Sequence, residues 1–189
     1  MQRRRRAGRP ERTLRIIAGA WRGRRITFPP GTSVRPTPDR VRETVFNWLA
    51  RRIEGARCLD LYAGTGILGL EALSRGAAEA WFVESDRALA VALRQGLALL
   101  HANGKVFDET VERFIGREDI GHFDIVFLDP PYATPVEPQL ARLPALLAED
   151  ALIYLERAAG EGLPDADSIE WRKSGRAGGV SYGLAAIRP

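Results

Sequence analysis

The chain has one cysteine, Cys58, and two histidines, His101 and His122, among its 189 residues. A single cysteine can close no internal disulfide, and two imidazoles beside it supply no zinc-type ligand set. We therefore expect no metal site, and Cys58 to be a small buried hydrophobe. Nor is there an apolar run of the roughly 18 residues that a membrane span requires. The arginine-rich start is followed by no apolar segment of the secretory kind. These absences predict a cytoplasmic protein with no membrane partner.

Arginine, by contrast, is abundant and unevenly placed. Residues 1–57 hold 16 arginines against four acids, a net of +12, whereas residues 58–189 carry 12 basic and 20 acidic residues, a net of −8. A basic front on an acidic body predicts a polyanion-binding part beside a ligand-binding or catalytic one. With 45% apolar and 28% charged residues, the chain has the composition of a globular domain with a sizeable core. Residues 1–12 are expected to be a disordered basic tail.

"TLRIIAGAWRGRRITFPPG" has two β-prone stretches around a glycine-containing connection, which predicts a hairpin with arginines on its exposed face. "RPTPDRVRETVFNWLARRI" predicts a helix capped by Thr37, with Pro38 at its first position and Asp39 against the dipole. Val41, Val45, Trp48, Leu49 and Ile53 share its apolar face, and Arg40, Glu43, Asn47 and Arg51 lie opposite. Residues 13–56 thus read as an extension carrying a hairpin and a helix. From residue 57 strands alternate with helices: "RCLDLYA", "EAWFVES", "KVF", "FDIVFLD" and "ALIYLE" are strand-like, with helical stretches between them, including one near 136–148. "SIEWRKS" and "VSYGLAAI" follow with only "GRAGG" between them, the pattern of an antiparallel edge pair. Residues 57–189 are therefore expected to form an α/β domain with a mostly parallel seven-stranded sheet, covered on both faces.

Two motifs carry chemistry. "DLYAGTGILG" sets Gly64, Gly66 and Gly69 in G-x-G-x-x-G spacing between a strand and a helix, where glycine allows a tight turn and close approach to a ligand. Glu84 ends the next strand, placed to accept hydrogen bonds from ribose hydroxyls. Asp60, inside the first strand, suits an ammonium-bearing cofactor such as S-adenosylmethionine better than a pyrophosphate. The second motif is "DPPY". An exocyclic NH2 conjugated to a ring is a poor nucleophile. Two fixed acceptors, the Asp129 carboxylate and the Pro130 carbonyl, can hold its hydrogens and aim the nitrogen at an electrophilic methyl group. Tyr132 can stack on the base.

The chain resembles the RsmD-type bacterial 16S rRNA guanine-N2 methyltransferases over nearly its whole length. The likeness runs from "RIIAGAWRGRRI" and "RPTPDRVRETVFNWL" through "CLDLYAGTGILGLEALSRGA", "FVESDR" and "FDIVFLDPPY" to "ALIYLE" and "GGVSYGL". It implies a Rossmann-like class I fold, S-adenosylmethionine as cofactor, and a guanine of the small ribosomal subunit or a late assembly particle as substrate, at position 966 in the usual 16S rRNA numbering. By position it assigns Asp60, Ala63, Gly64 and Gly66 to the cofactor turn, Glu84 to the ribose and Ser85 to the adenine edge. It places Asp129, Pro130 and Tyr132 at the amine, where the family more often has Phe in the last place. Thr110 stands where the family usually carries Asp or Asn toward the adenine. Arg15, Arg22, Arg24, Arg25 and Arg35, with Trp21 among them, are expected to grip RNA. Trp21 reads equally as hairpin core. Arg40 is a candidate for the cofactor carboxylate, or an ordinary exposed helix arginine. A monomer is expected. The alternatives are a methyltransferase for another amine (adenine N6, protein glutamine), a nicotinamide-dependent oxidoreductase, and a non-catalytic RNA-binding assembly factor.

Overall fold

The computed structural model describes residues 12–29, 37–118, 120–131, 134–165 and 167–188. Strands β1 (Arg12–Arg15) and β2 (Arg25–Phe28) form an antiparallel ribbon in which Leu14 opposes Ile26 and Arg15 opposes Arg25. The two-residue period turns Ile26 and Phe28 into the core and leaves Thr13, Arg15, Arg25 and Thr27 exposed, as the hairpin pattern predicts. The tail expected over residues 1–12 lies outside the described residues, apart from Arg12, which opens β1.

Helix α1 (Asp39–Trp48) follows. Val41, Val45 and Leu49 are buried as expected, together with Phe46. Trp48 is half-buried and stacks on Tyr182 at 5.6 Å. Two expectations need correction. Pro38, not Thr37, precedes the first helical residue, and no side chain caps the helix. The helix also ends about a turn before Ile53, which is buried in the following turn.

The remaining strands are β3 (Arg57–Leu61), β4 (Glu79–Val83), β5 (Gly104–Phe107), β6 (Phe123–Leu128), β7 (Leu147–Ala158), β8 (Ile169–Ala177) and β9 (Val180–Ile187). They form one seven-stranded sheet in the order β5-β4-β3-β6-β7-β9-β8. Strands β3 to β7 pair in parallel, and β9 inserts antiparallel to both β7 and β8. This is the class I methyltransferase arrangement expected from the sequence. Alternate strand residues feed two layers. Cys58, Phe82, Phe127 and Tyr154 pack with α1, α2 (Ile67–Ser74) and α3 (Arg87–Leu100). Leu59, Trp81, Val126 and Leu155 pack with α4 (Val111–Ile115) and α5 (Glu137–Arg142). The helix expected over 136–148 is cut short at Arg142 and continues as a 3-10 turn, Leu143–Leu146, because Pro144 cannot donate to an α-helical ladder.

One buried cluster docks the ribbon on this layer. Glu71, fully buried on α2, accepts hydrogen bonds from the backbone N–H groups of Ile17 (2.8 Å) and Ala18 (3.0 Å) and from Arg75 Nε (2.8 Å). The equally buried guanidinium of Arg42 lies 3.6 Å from Glu71, and donates to the Arg15 carbonyl (3.1 Å) and to Asp39 (2.6 Å). Beside it the Ser74 carbonyl accepts from Ala20 N–H at 2.7 Å. Gly19, at φ +82°, comes so close that a Cβ there would stand 1.8 Å from that carbonyl oxygen.

A Glu71→Ala variant would leave two backbone N–H donors and Arg75 Nε without their acceptor, and the buried Arg42 without one of its two countercharges. We expect it to lose about 3–5 kcal/mol of unfolding free energy in a urea titration. A loss below about 1 kcal/mol would show that ribbon docking does not depend on this carboxylate.

Candidate functional site

The chain runs outward from β3 through β4 to β5, then returns to place β6 on the other side of β3. Open α/β sheets hold ligands where the strand order reverses in this way, beyond the carboxyl ends of the strands. A cavity of about 730 Å³ lies there, lined from β3, β4, β6 and β7 and the loops after them.

Its floor is the glycine turn. Gly64 (φ 55°) and Gly66 (φ 72°) take left-handed backbone conformations that let β3 turn into α2, with Gly66 immediately before the helix. A Cβ on Gly66 would stand 2.4 Å from Leu93 Cδ1, and one on Gly69 would stand 2.3 Å from the Phe82 ring. The third glycine of the motif therefore serves helix-to-sheet packing. It also donates its N–H to Asp60 Oδ2 at 3.0 Å.

Asp60 is 2% exposed, on the face of β3 that looks toward α2, and it lines the cavity. Burial pushes its pKa up to about 8; the Gly69 N–H opposes this and the Glu84 charge adds to it. Glu84 follows β4 and accepts from the N–H of Gly64 (2.6 Å) and of Asp86 (2.7 Å), which ties the glycine turn to the start of α3. Burial raises its pKa as well. Ala63, Ser85 and Thr110 line the same cavity. The Thr110 hydroxyl caps α4, accepting from Arg113 N–H at 3.4 Å.

Asp129 and Pro130 follow β6 directly and close the far side of the cavity. Asp129 keeps some exposure to the cleft, and its pKa is raised well above the ordinary carboxylate range by burial of its carboxyl, then by the charges of Glu156 and Asp60. The Thr37 hydroxyl reaches Asp129 Oδ2 at 3.5 Å, so the residue expected to cap α1 instead faces the site.

Of the expected site residues, Asp60, Ala63, Gly64, Glu84, Ser85, Thr110, Asp129 and Pro130 converge on this cavity, with Gly66 in the turn beneath it. Arg40 does not line it; its side chain is exposed on α1. Tyr132 and Arg35 lie outside the described residues. Arg15, Arg22, Arg24 and Arg25 are all exposed on the ribbon and its connection. Trp21 is half-buried against the core, and its backbone N–H donates to Ser74 Oγ at 3.0 Å. The ribbon sits close to the cavity: Arg15 pairs with Asp39 at 3.7 Å, two residues from Thr37.

Among the cavity residues that escaped the sequence reading are Thr37, Tyr62 and Glu156. Tyr62 follows β3 at φ 60°, an uncommon conformation for an aromatic residue. Its hydroxyl and the Gln139 amide lie 2.9 Å apart. With the amide oxygen toward the phenol, Tyr62 donates to Gln139, whose nitrogen then reaches the Pro135 carbonyl at 2.9 Å. Burial, then the Glu112 charge, pushes the Tyr62 pKa up to about 12. Glu156 had a readable signal, an acid at the end of the apolar run "ALIYLE", the same signal that marks Glu84.

The raised carboxyl pKa of Asp60 sets a direction for stability. Between about pH 4 and pH 8 the folded chain keeps a proton on Asp60 that the unfolded chain has released. Stability therefore falls as pH rises through that window, and Asp129 and Glu84 act with the same sign. Asp60→Asn should make the decline of the urea midpoint between about pH 5 and pH 8 shallower than in the parent. Parallel slopes would show that Asp60 does not titrate in this range.

Comparison with known proteins agrees with this architecture. The family described as "Conserved hypothetical protein 95" matches residues 14–185. "Ribosomal RNA small subunit methyltransferase D" of Escherichia coli strain K12 is 44% identical over 177 residues, covering 90% of this chain and 88% of that protein. The protein of the same name from Haemophilus influenzae is 39% identical over 178 residues, covering 90% and 92%. The solved structure of yhhF from Escherichia coli superposes with a TM-score of 0.84 at 43% identity, covering 93% of this chain and 98% of that one. With a family match over nearly its whole length and relatives this similar over nine-tenths of it, the chain belongs to the RsmD family of methyltransferases.

Proposed function

We propose that this protein transfers a methyl group from S-adenosylmethionine to the N2 amine of a guanine in 16S rRNA, position 966 by family likeness, within the small ribosomal subunit or a late assembly particle. The observation that carries the reading is the junction of three features in one cleft. These are the Asp129–Pro130 acceptor pair, the glycine turn with its two carboxylates, and an arginine-rich ribbon docked beside them. The family supports rRNA methylation as the broader activity.

The residues present fit the cofactor. The cavity has room for a nucleoside, side-chain-free backbone at Gly64 lets one approach closely, and Glu84 and Asp60 offer carboxylates to ribose hydroxyls and to an ammonium group. When bound, S-adenosylmethionine supplies a methyl group on a positively charged sulfur. The protein's own work is to position and deprotonate the amine. Asp129 and the Pro130 carbonyl each accept one hydrogen of the NH2 group, which leaves the nitrogen lone pair directed out of the base plane. Pro130, buried and locked in φ, holds that geometry before the base arrives. As the nitrogen gains its methyl group it becomes cationic. The Asp129 carboxylate, of raised proton affinity, is placed to take the surplus proton and release it to solvent.

The exposed arginines of the ribbon are read as phosphate contacts. Arg15 and Arg25 stand directly opposite each other across β1 and β2, an arrangement that costs stability in isolation and is relieved by a polyanion.

Two experiments test the reading. On small-subunit particles lacking the modification, Asp129→Ala should slow methyl transfer by about 10²–10³-fold while cofactor binding is retained, with the product mapped to guanine N2 by nuclease digestion and mass spectrometry. Transfer at the parent rate, or a methyl group found elsewhere, would overturn the assignment. Arg25→Ala should weaken particle binding and lower the slope of log K against log salt by about one; an unchanged slope would remove the ribbon from the RNA contact.

A further inference from the structure

We propose that Glu156 selects the base, accepting the ring N1–H of guanine beside the amine held by Asp129 and Pro130. The inference rests on the guanine-N2 reading above and deepens it. The register of β6 and β7 carries the argument. Phe127 pairs with Tyr154 and Leu128 with Leu155, so the next position sets Asp129 beside Glu156 at the roughly 4.8 Å spacing of neighbouring strands. Residues paired across strands share a face, and both side chains line the same cavity. The Glu156 charge raises the Asp129 pKa, second only to burial, as expected for neighbouring carboxylates. Glu156 itself is 5% exposed and held in place, with the fully buried Tyr154 donating its hydroxyl to Oε2 at 2.7 Å.

Two adjoining carboxylates repel each other, so their arrangement suits a ligand that presents donors to both. Among nucleobase amines only that of guanine meets this condition. Its Watson–Crick edge places the N1–H donor next to the N2 amine, three hydrogens in a row for Glu156, Asp129 and the Pro130 carbonyl. The amine of adenine neighbours N1, that of cytosine neighbours N3, and a glutamine amide nitrogen neighbours its own carbonyl oxygen. All three neighbours are acceptors and would face the Glu156 carboxylate lone pair to lone pair. The same side chain thus attracts guanine through a charge-assisted hydrogen bond and rejects the alternatives by repulsion.

The test uses particles reconstituted with either guanine or 2-aminopurine at the target nucleotide. The analogue keeps the 2-amino group but presents an acceptor at N1. The parent enzyme should prefer guanine in kcat/KM by on the order of 10⁴-fold. Glu156→Gln, whose amide can donate to an acceptor N1, should lower that ratio by about 100-fold or more, with cofactor binding within about twofold of the parent. If Glu156→Gln does not fold, Glu156→Asp, which withdraws the carboxylate by one methylene, should also lower the ratio. A folded variant with the parent's ratio would overturn the role of Glu156 while leaving guanine methylation intact. A parent enzyme that places no methyl group on guanine N2 would overturn the amine reading itself.

Discussion

The placement of the arginine-bearing ribbon depends on one buried carboxylate, Glu71. A ribbon of two four-residue strands cannot hold itself together in water, so it must be docked. Glu71 does this by accepting two consecutive backbone N–H groups of the ribbon's connection while it neutralises Arg75 and lies beside Arg42. Arg42 extends the tie to the Arg15 carbonyl and to Asp39 at the start of α1. A buried ionic cluster of this kind is a weak source of net stability, and the Arg42 Nε has no hydrogen-bond partner among the described residues. What the cluster supplies is position: it fixes ribbon, α1 and α2 relative to one another, and through Thr37 it fixes them relative to Asp129.

The cleft is built on the opposite sign of charge. Asp60, Glu84, Asp129 and Glu156 converge on it, and burial raises the proton affinity of the first three. An acid-lined cavity is costly for the empty fold, since each ionised carboxylate gives up hydration for few fixed donors. Glu84 and Asp60 recover part of that cost from backbone N–H groups of the glycine turn itself. The glycines thus have a second use beyond slimness: Gly64 and Gly69 present the donors that orient the two carboxylates.

Much of this was legible in the sequence, and the reasons differ from element to element. The strand and helix alternation, the glycine turn and Glu84 were readable because each is a local pattern whose physics lies within a few residues. Asp129 and Pro130 were readable as cleft residues because they follow an apolar strand at the end where an open α/β sheet holds its ligands. Glu71 and Arg42 were not, because a charged residue within a helix reads as solvent-facing and only the docked ribbon buries them. Thr37 misled for a related reason: its spacing before α1 suits a cap, yet its hydroxyl turns to a carboxylate 92 residues away in sequence. Arg40 read equally as a cofactor contact and as an ordinary exposed helix arginine, and the helix turns it outward. Glu156 carried the same strand-end signal as Glu84. Its meaning depends on the register of β7 against β6, which no single strand reveals.

The two charge regimes together restrict how a nucleic acid can enter. A phosphate brought into the cleft would give up its hydration among acidic side chains, and no arginine or lysine among the described residues lines the cavity to receive it. The same phosphate at the ribbon meets Arg15, Arg22, Arg24 and Arg25. On the proposed reading the backbone therefore stays outside on the arginines, and the nucleotide must turn its base inward, edge first, out of any stack. A donor-rich base edge is what the acceptors at the far end of that path stabilise. On that reading discrimination begins with the separation of charge between ribbon and cleft, before any base-specific hydrogen bond forms, and Glu71 is what holds the ribbon against α2 beside the cleft.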